Sequence, residues 1–319
     1  MGRVINIGRS LPAAPRSTYP LANRPDWIQA NPRFIDRALA RALEKPAGGW
    51  YAVDASSAIT ARPRRYLLDG RAHVAWRAND QALVAPDVCP HMGAELSCGR
   101  VHEGALVCPW HGLRLGKEGH GPWKPAPTHD DGVLVWARLD DDETPTDAPI
   151  VAPRPERFMA GVIRAEATCE PSDILANRLD PWHGVHFHPH SFAALDVLAA
   201  DEDRLALRVA FKVAGPLCVE VDCTFHCPDR RTIVMTITDG DGAGSVVETH
   251  ATPLAPGRTA MVEATLATSD RPGFRLARTF GRFVRPFIER RARRLWVDDL
   301  AYAERRYALR TSNGSALSV

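Results

Sequence analysis

The sequence predicts an α+β protein, in which a small antiparallel β domain precedes a larger domain with its own antiparallel sheet and a long C-terminal helix. Short strand-like runs, separated by turn residues, occupy the region after residue 46. Longer runs of alternating polarity occupy residues 205–267, and a helical pattern extends from residue 272 to about residue 310. Strands followed by a long helix are typical of the α+β class.

Composition places few limits on function. A chain of 319 residues suggests about two domains, and its 45% hydrophobic and 24% charged residues are ordinary for a soluble globular protein. The net charge of +2 favours no class of partner. No run reaches the length of a membrane span, and Met1–Ser10 lacks the apolar core of a signal peptide. We therefore expect a cytoplasmic protein, in which seven cysteines do not form a disulfide framework.

Residues 1–45 are predicted to form an N-terminal arm and a helix. The first 30 residues are rich in Pro, Arg and Asn, which favours an extended arm. Asn31 and Pro32 are typical of a helix start, and apolar residues recur at helical spacing as far as Glu44. The run Pro46–Gly49 then ends this helix.

Residues 46–148 are predicted to form the small β domain, with Asp69-Gly70 as a hairpin turn. The acidic, proline-rich stretch 140–155 is expected to be a linker. The predicted early strands are Trp50–Val53, Arg65–Leu68 and His73–Trp76.

Residues 149–310 are predicted to form the second domain, and residues 311–319 a loose tail. A loop-helix segment is expected at 171–199, before an antiparallel meander. The C-terminal helix from Pro272 is expected to kink or restart at Pro286. The predicted meander strands are Leu205–Val213, Cys218–Phe225, Arg231–Thr238, Ser245–Thr252 and Thr259–Ala267.

Two short clips of metal-binding residues, Cys89-x-His91 and Cys108-x-x-His111, are separated by sixteen residues. This spacing suits a 2Fe-2S cluster in which two thiolates hold one iron and two imidazoles hold the other. A structural zinc site is the alternative, because zinc also accepts two cysteines and two histidines.

These clips resemble the Rieske iron-sulfur family, and the match extends to flanking residues of both loops. Trp110 and Ala94 stand where respiratory Rieske proteins carry an extra cysteine pair, which implies the oxygenase-type cluster. Cys98 is expected to be a small buried residue. The chain departs from the family at Met92 and Leu113. The matching flanking residues are Gly93, Leu96, Ser97, Gly99 and the run 108–112.

A second constellation places four histidines in eight residues, from His183 to His190. The spacing of Asn177, Asp180, His183 and His188 is similar to a motif of Rieske non-haem iron oxygenases. A spacing of five residues from His183 to His188 does not fit one face of a regular helix, so the helix must loosen there.

The resemblance implies that His183 and His188 bind a mononuclear Fe(II), with a carboxylate from the C-terminal helix as third ligand. Asp299 is the predicted ligand and Asp298 its rival, because the family carries an acidic pair whose second member binds iron. Asp180 resembles the aspartate that links this iron site to a Rieske histidine of a neighbouring subunit.

On this resemblance Asn177 lies beside the ligands, and His186 and His190 are satisfied loop histidines. Cys218, Cys223, His226 and Cys227 are expected in the core, with Cys223 lining a cavity.

The resemblance further implies a terminal oxygenase, with residues 149–310 forming a helix-grip (START-like) domain around an apolar cavity. Its cofactors would be the Rieske 2Fe-2S cluster and mononuclear Fe(II), with O2 as co-substrate. Electrons would come from a ferredoxin or flavin reductase, and from NAD(P)H only indirectly, because no dinucleotide fingerprint is present. A homotrimer is implied. Monooxygenation, as hydroxylation or oxidative demethylation, is expected of a bulky apolar substrate resembling a steroid, terpenoid or carotenoid.

Two other classes of function remain open at this level. One is an electron-transfer protein whose second domain binds a ligand without catalysis, and the other is a metal-dependent hydrolase. The arginine-rich C-terminal helix carries an apolar stripe, comprising Phe280, Val284, Phe287 and Ile288, that could face the core, a peripheral membrane surface or an acidic ferredoxin. Nucleic acid is not an expected partner.

Overall fold

Helix α1, Pro32–Leu43, begins where the sequence predicts, because the Asn31 side chain accepts a hydrogen bond from the Arg33 backbone N–H at 3.1 Å. Its buried face packs into the core of the second domain, beside Trp182, and not against the β domain that follows it in the chain. The computed structural model describes residues 5–6, 30–139, 142–214 and 217–312. Residues 313–319 of the predicted tail lie outside the described residues, whereas Thr311 and Ser312 are helical, so the tail prediction is wrong for these two. Of the predicted arm, the described residues are strand β1 (Ile5–Asn6) and Ala30.

Three small antiparallel sheets follow α1 and form the predicted β domain. Their strand orders are β2-β10-β9, β3-β4-β5 and β6-β7-β8. Asp69 and Gly70 both have positive φ, 47° and 73°, so this pair forms the predicted tight turn between β3 and β4. The strands are Trp50–Ala55 (β2), Arg64–Leu68 (β3), Arg71–Ala78 (β4), Gln81–Pro86 (β5), Arg100–His102 (β6), Ala105–Val107 (β7), Arg114–Leu115 (β8), Thr128–Asp130 (β9) and Leu134–Arg138 (β10).

The second domain is a large sheet whose described antiparallel strands have the order β11-β17-β16-β15-β14-β13-β12, with β1 pairing in parallel to β14. The five predicted meander strands are present, and the predicted α+β class is confirmed. The strands are Met159–Ala167 (β11), Phe192–Ala200 (β12), Arg204–Ala214 (β13), Leu217–Asp229 (β14), Thr232–Gly240 (β15), Val246–Ala255 (β16) and Arg258–Ala267 (β17).

Two antiparallel strands of this sheet were not predicted, and neither was the short parallel strand β1. Strand β12 occupies residues assigned to a loop-helix segment, and that part of the prediction is wrong. Its alanine-rich run lacks a clear alternation, and its pairing with β13 decides its conformation. Strand β11 pairs with β17, far away in sequence. It contains Gly161, where an added Cβ would stand 2.8 Å from Ile288 Cγ2, so the C-terminal helix lies close to the sheet there.

The second domain also contains α-helices, and the last of them is the longest. They are Pro171–Arg178 (α2), Gly184–Phe187 (α3), Pro272–Thr279 (α4) and Gly281–Ser312 (α5). The predicted restart at Pro286 is wrong, because α5 runs through Pro286 and the break lies at Phe280. Glycine at 281 is a poor helix former, whereas Pro286 lies in the second turn, where its missing N–H removes only one hydrogen bond.

Helix α5 connects distant parts of the molecule. Near its start, Arg285 donates to Ser57 Oγ of the β domain at 2.8 Å. Near its end, Arg306 and Arg310 donate to the buried Asp173 of α2 at 2.5 and 2.8 Å. The helix is therefore anchored at both ends.

The apolar stripe, which begins at the break between α4 and α5, does not face the core along its whole length. Phe280 and Phe287 are 52% and 59% exposed, and Phe283 is 64% exposed. The core-facing interpretation of this stripe is therefore wrong for Phe280 and Phe287. Among the described residues, no helix combines the length and the apolar character that crossing a bilayer requires.

A buried ionic cluster joins the two domains through the interdomain segment. Arg154 donates to both oxygens of Glu248 on β16, each at 2.7 Å, and also contacts Asp131 of the β domain. Burial alone would raise the pKa of Glu248, but the hydrogen bonds from Arg154 and the His250 ring, whose Nε2 lies 3.5 Å away, outweigh it and lower the pKa to about 2. The ionised carboxylate is therefore the form that stabilises the fold.

We expect Glu248→Gln to reduce the free energy of unfolding at pH 7 by about 3 kcal/mol or more. A pKa shift from 4.5 to about 2 corresponds to about that free energy, and the variant also leaves Arg154 less well paired. Because the pKa of Glu248 in the folded protein lies below the unfolded value of about 4.5, the ionised carboxylate stabilises the fold at pH values above 4.5. This contribution is lost as the pH falls toward 2. Urea titrations should therefore show a smaller difference between wild type and variant at pH 3 than at pH 7.

The control is Glu166→Gln, which removes a partly exposed pair with Arg258 on the same sheet. It should change stability by less than about 1 kcal/mol. An equal loss in both variants, or a loss for Glu248→Gln that does not depend on pH, would contradict the assignment.

Candidate functional site

The two metal-binding clips of the β domain form a pair of equivalent loops. In the first, Gly93 N–H donates to Cys89 O at 2.8 Å, and in the second, Gly112 N–H donates to Cys108 O at 3.1 Å. Both glycines have positive φ, 80° and 73°, a conformation that favours glycine at these two turns. The two loops therefore hold their ligands with the same type of backbone turn.

The four side chains of these loops fit a 2Fe-2S cluster. Cys89 and Cys108 are buried beside one another in an apolar core, and the His91 and His111 rings are exposed with their centroids 4.9 Å apart. Backbone N–H groups of the residues two and three positions after each cysteine lie near its sulfur, an arrangement that stabilises thiolate and cluster sulfur. The inner position of the thiols and the outer position of the imidazoles match the two-sided ligation of a Rieske cluster.

An apolar rim surrounds the outer side of these loops. Val88, Met92 and Trp110 are 48%, 62% and 61% exposed. Cys98 also lies exposed, 3.7 Å from Glu95 Oε2, so the prediction that it is buried is wrong. It ends a short helical turn whose inward position is taken by Leu96.

The second constellation lies where helix α2 ends and the chain loosens before α3, as the five-residue spacing requires. This break turns the His183 and His188 side chains toward α5. The two Nε2 atoms lie 3.2 and 2.8 Å from the same atom, Asp299 Oδ1. Asn177 Nδ2 also donates to that oxygen at 3.0 Å. The structure therefore brings together four residues that the sequence analysis singled out.

The two neighbouring aspartates of α5 occupy different positions. Asp299 is buried and faces both histidines, whereas the Asp298 side chain is 35% exposed and its Oδ2 lies 3.3 Å from His188 Nδ1. A carboxylate on the far nitrogen of a metal-binding imidazole fixes the ring orientation and tautomer. The geometry therefore favours Asp299 at the centre and Asp298 behind His188.

The electrostatics of this group suit a bound cation. Burial would raise the pKa of Asp299, but hydrogen bonds from His183 and His188 outweigh it and hold the pKa well below its usual range. Burial would lower the pKa of His183, yet the nearby Asp180 carboxylate and a hydrogen bond with Asp299 raise it to about 9. Two imidazoles and one carboxylate, with ligand atoms within 4.8 Å of one another, match the facial triad that binds Fe(II).

Asp180 lies beside this group without contacting Asp299. Its Oδ1 accepts from the Trp182 backbone N–H at 3.2 Å, and its Oδ2 accepts from the Tyr302 hydroxyl at 3.1 Å. The same Oδ2 is 3.6 Å from His183 Nδ1, slightly beyond a hydrogen bond. A small movement of this carboxylate would thus connect it to the imidazole.

The remaining two histidines differ. His186 is exposed on α3. His190 has a buried Nε2 without a hydrogen-bond partner among the described residues, and its Nδ1 lies 3.9 Å from Asp298. The prediction of a satisfied loop histidine is therefore wrong for His190 Nε2.

A cavity of about 300 Å³ opens beside His183, His188 and Asp299. The sheet supplies a mostly apolar wall, as the sequence analysis expects. Cys223 lines it as predicted, and Cys218 and Cys227 are buried. None of these cysteines belongs to a metal-binding group among the described residues. The apolar residues of this wall are Phe192, Leu195, Leu207, Val209, Phe211, Phe225, Met235 and Val247.

Besides Asp180 and Asp299, three charged residues that were not predicted from the sequence line the cavity. Arg178 ends α2, Arg291 comes from α5, and Glu263 comes from β17. The signal for Arg178 was its position directly after Asn177 in the motif. Glu263 shares its face of β17 with Met261 and Thr265 by strand alternation, but nothing local shows that this face meets the cavity.

Comparison with known proteins agrees with the fold. A family model described as Rieske [2Fe-2S] domain matches residues 49–137. Dicamba monooxygenase bound to dicamba superposes with a TM-score of 0.66 at 16% identity, over 86% of this chain and 92% of that one. The oxygenase in the reduced oxygenase–ferredoxin complex of carbazole 1,9a-dioxygenase gives 0.58 at 14% identity, over 92% and 88%.

Sequence relatives match the Rieske region. Aminopyrrolnitrin oxygenase PrnD of Pseudomonas fluorescens is 37% identical over 79 residues, 24% of this chain and 22% of the relative. The vanillate O-demethylase oxygenase subunit of a Pseudomonas strain is 36% identical over 75 residues, 23% and 21% of the two chains. The chain thus spans about a fifth of the length of each of these relatives.

The chain carries a Rieske [2Fe-2S] domain, and its fold is that of dicamba monooxygenase and of the carbazole 1,9a-dioxygenase oxygenase. The second domain places it more narrowly. The chain belongs to the family described as domain of unknown function DUF5914, whose model matches residues 140–314 and thus more than half of the chain.

Proposed function

We propose that this protein is the terminal oxygenase of a Rieske non-haem iron system, divided near residue 148 into a cluster domain and a catalytic domain. The observation that carries the proposal is the convergence of His183 and His188 on Asp299 Oδ1, at 3.2 and 2.8 Å, beside a mostly apolar cavity. A structural zinc site or a hydrolase would not account for the Rieske domain in the same chain.

In this proposal, the two metal centres are held by the residues described above. Cys89, Cys108, His91 and His111 hold the 2Fe-2S cluster. The triad that holds Fe(II) is His183, His188 and Asp299. When bound, the two groups supply single-electron transfer and activation of O2.

The protein side chains around the triad have distinct tasks. Asn177 Nδ2 donates to Asp299 Oδ1 at 3.0 Å and so fixes the carboxylate. Asp298 fixes the His188 ring from its far nitrogen, at 3.3 Å. Asp180, held by the Tyr302 hydroxyl, stands ready to accept a proton from His183 Nδ1.

The electron donor is proposed to be a ferredoxin or flavin reductase, with NAD(P)H acting only through that partner. The exposed apolar rim of Val88, Met92 and Trp110 around the cluster loops suits a docked redox protein. The carbazole 1,9a-dioxygenase structure contains an oxygenase bound to a ferredoxin. We further propose a homotrimer, in which Asp180 faces a Rieske histidine of the neighbouring subunit.

The proposed reaction is hydroxylation or oxidative demethylation of an apolar ring compound. The apolar wall of the cavity supports this substrate class. Because about 300 Å³ lies at the small end of ligand cavities, a compact steroid- or terpenoid-like ring system fits better than an extended carotenoid. Monooxygenation is favoured over dioxygenation within the proposal.

A cytoplasmic location agrees with a partner reductase that uses NAD(P)H. Contact with a membrane surface stays a secondary element of the proposal. The exposed Phe280, Phe283 and Phe287 support it, because they alternate with arginines along α4 and α5.

The experiment is turnover of anaerobically purified holoprotein with a surrogate ferredoxin and reductase and a panel of cyclic terpenoids, steroids and aromatic acids. We expect O2 uptake that requires both NADH and substrate, with label from isotopically enriched O2 in the product. Product formation without O2 or reductant would favour the hydrolase. Reduction of the cluster without O2 uptake, together with an absence of mononuclear iron, would favour the electron-transfer protein.

A further inference from the structure

We propose that Arg178 forms an anion subsite in the cavity and that the substrate is an apolar ring compound carrying one carboxylate. This inference rests on the proposed function, since it concerns the substrate of the same site. It also modifies the expectation of an apolar cavity and an apolar substrate.

The guanidinium of Arg178 is enclosed but poorly paired. It lies over the rings of Phe225 and Trp296, with its Cζ atom 5.5 and 5.7 Å from their centroids. The side chain is only 13% exposed, and it borders the cavity. Its Nε is buried without a hydrogen-bond partner among the described residues. Buried donors are normally satisfied, so this group lacks an acceptor.

The nearest carboxylate does not fill that role. Glu263 Oε2 lies 4.0 Å from Arg178 Nη2, which is too long for a hydrogen bond. The same oxygen already accepts from Trp296 Nε1 at 2.7 Å and from Thr249 Oγ1 at 3.1 Å. Burial raises the pKa of Glu263, although Arg178 opposes the shift. Arg178 is thus free to bind an acceptor that enters from the cavity.

The charge around the cavity favours an anion over a neutral acceptor. Two arginines, Arg178 and Arg291, border it together with the proposed divalent iron. Three carboxylates, Asp180, Glu263 and Asp299, oppose them, and burial raises the pKa of Glu263. Positive charge therefore exceeds negative charge when iron is bound.

The shape of the subsite favours a carboxylate in particular. A guanidinium presents a planar fork of N–H donors that matches two carboxylate oxygens. Arg178 follows Asn177, which contacts the Asp299 carboxylate, so an anchored carboxylate would set the position of the attached ring relative to the proposed iron site. The walls beyond Arg178 are aromatic and aliphatic, which suits that ring.

The test is anaerobic binding of two probes to the holoprotein by fluorescence or calorimetry. The probes are 2-naphthoate and its neutral analogue 2-naphthalenemethanol. We expect wild type to bind 2-naphthoate about tenfold or more tightly than the alcohol. Arg178→Gln should weaken 2-naphthoate by about tenfold or more and change the alcohol by less than about threefold, and Arg178→Lys should recover part of the loss.

Arg208→Gln is the charge-matched control, since Arg208 pairs with Asp222 and does not border the cavity. It should leave both affinities within about threefold of wild type. The subsite is overturned if Arg178→Gln keeps the iron content and circular dichroism of wild type and yet reduces the affinity for both probes equally, or for neither. It is also overturned if 2-naphthoate loses affinity only when iron is removed.

The outcome is separable from that of the proposed function. Binding is measured without O2, so a wild-type protein that shows no preference for 2-naphthoate would refute the subsite without bearing on oxygen-dependent turnover. Absence of turnover would in turn leave the selectivity between the two probes unchanged.

Discussion

Asp299→Ala is expected to release the mononuclear iron and to abolish oxygen-dependent turnover while the Rieske cluster stays intact. The reason is geometric, because the Nε2 atoms of His183 and His188 lie 3.2 and 2.8 Å from a single oxygen of this residue. Without that carboxylate, two neutral imidazoles would hold Fe(II) weakly.

Iron and acid-labile sulfide analysis of anaerobically purified protein would check this. Wild type should contain about three irons and two sulfides per chain, and the variant about two of each. The visible absorption of the cluster should not change, and turnover should fall by at least about 100-fold.

The matched control is Asp298→Ala, which removes the adjacent carboxylate from the same turn of α5. Because Asp298 only orients His188, from 3.3 Å, this variant should keep iron when iron is supplied in excess. An empty site in Asp298→Ala and a filled one in Asp299→Ala would reverse the assignment of the two residues. About two irons in wild type itself would favour the electron-transfer protein.

Asp180→Asn is expected to retain both metal centres and yet to slow electron delivery by about 100-fold or more. The carboxylate lies 3.6 Å from His183 Nδ1 and is held by the Tyr302 hydroxyl. An amide of the same size has no negative charge and cannot accept a proton from the imidazole. A single-turnover experiment would check this. The cluster is first reduced, O2 and substrate are then added, and the rate of cluster reoxidation is followed by visible absorbance.

Tyr302→Phe is the control for this prediction, since it removes one hydrogen bond and leaves the Asp180 carboxylate charged. Its rate should fall by less than about tenfold. Reoxidation at the wild-type rate in Asp180→Asn, with full metal content, would exclude Asp180 from electron delivery.

The parts of this protein that could be predicted from sequence are those whose chemistry is local. The cluster clips carry their ligands, glycines and spacing within one stretch of chain, and the loops form accordingly. Asp299 is different, because it comes from a helix more than a hundred residues after His188. Its prediction needed the resemblance to a family, since no local pattern connects the two segments.

What could not be predicted depends on tertiary pairing. Strand β12 has a sequence that suits helix or strand equally, and its pairing with β13 decides the outcome. The stripe on α4 and α5 shows the same limit, because periodicity reveals an apolar face but not its surroundings. For Arg178, the motif fixed the position in the chain, whereas the lack of an acceptor became visible only with Glu263 and Trp296 in place.

Helix α5 has a consequence for how this family can diverge. One uninterrupted element carries the contact to the β domain at Arg285, part of the cavity wall, Asp299, and the anchor at Arg306. Inserting a single residue between Arg285 and Arg306 would rotate everything beyond it by about 100° and move it by about 1.5 Å. We therefore expect substrate range to evolve by substitutions in this helix, while changes of length accumulate in the loops between strands.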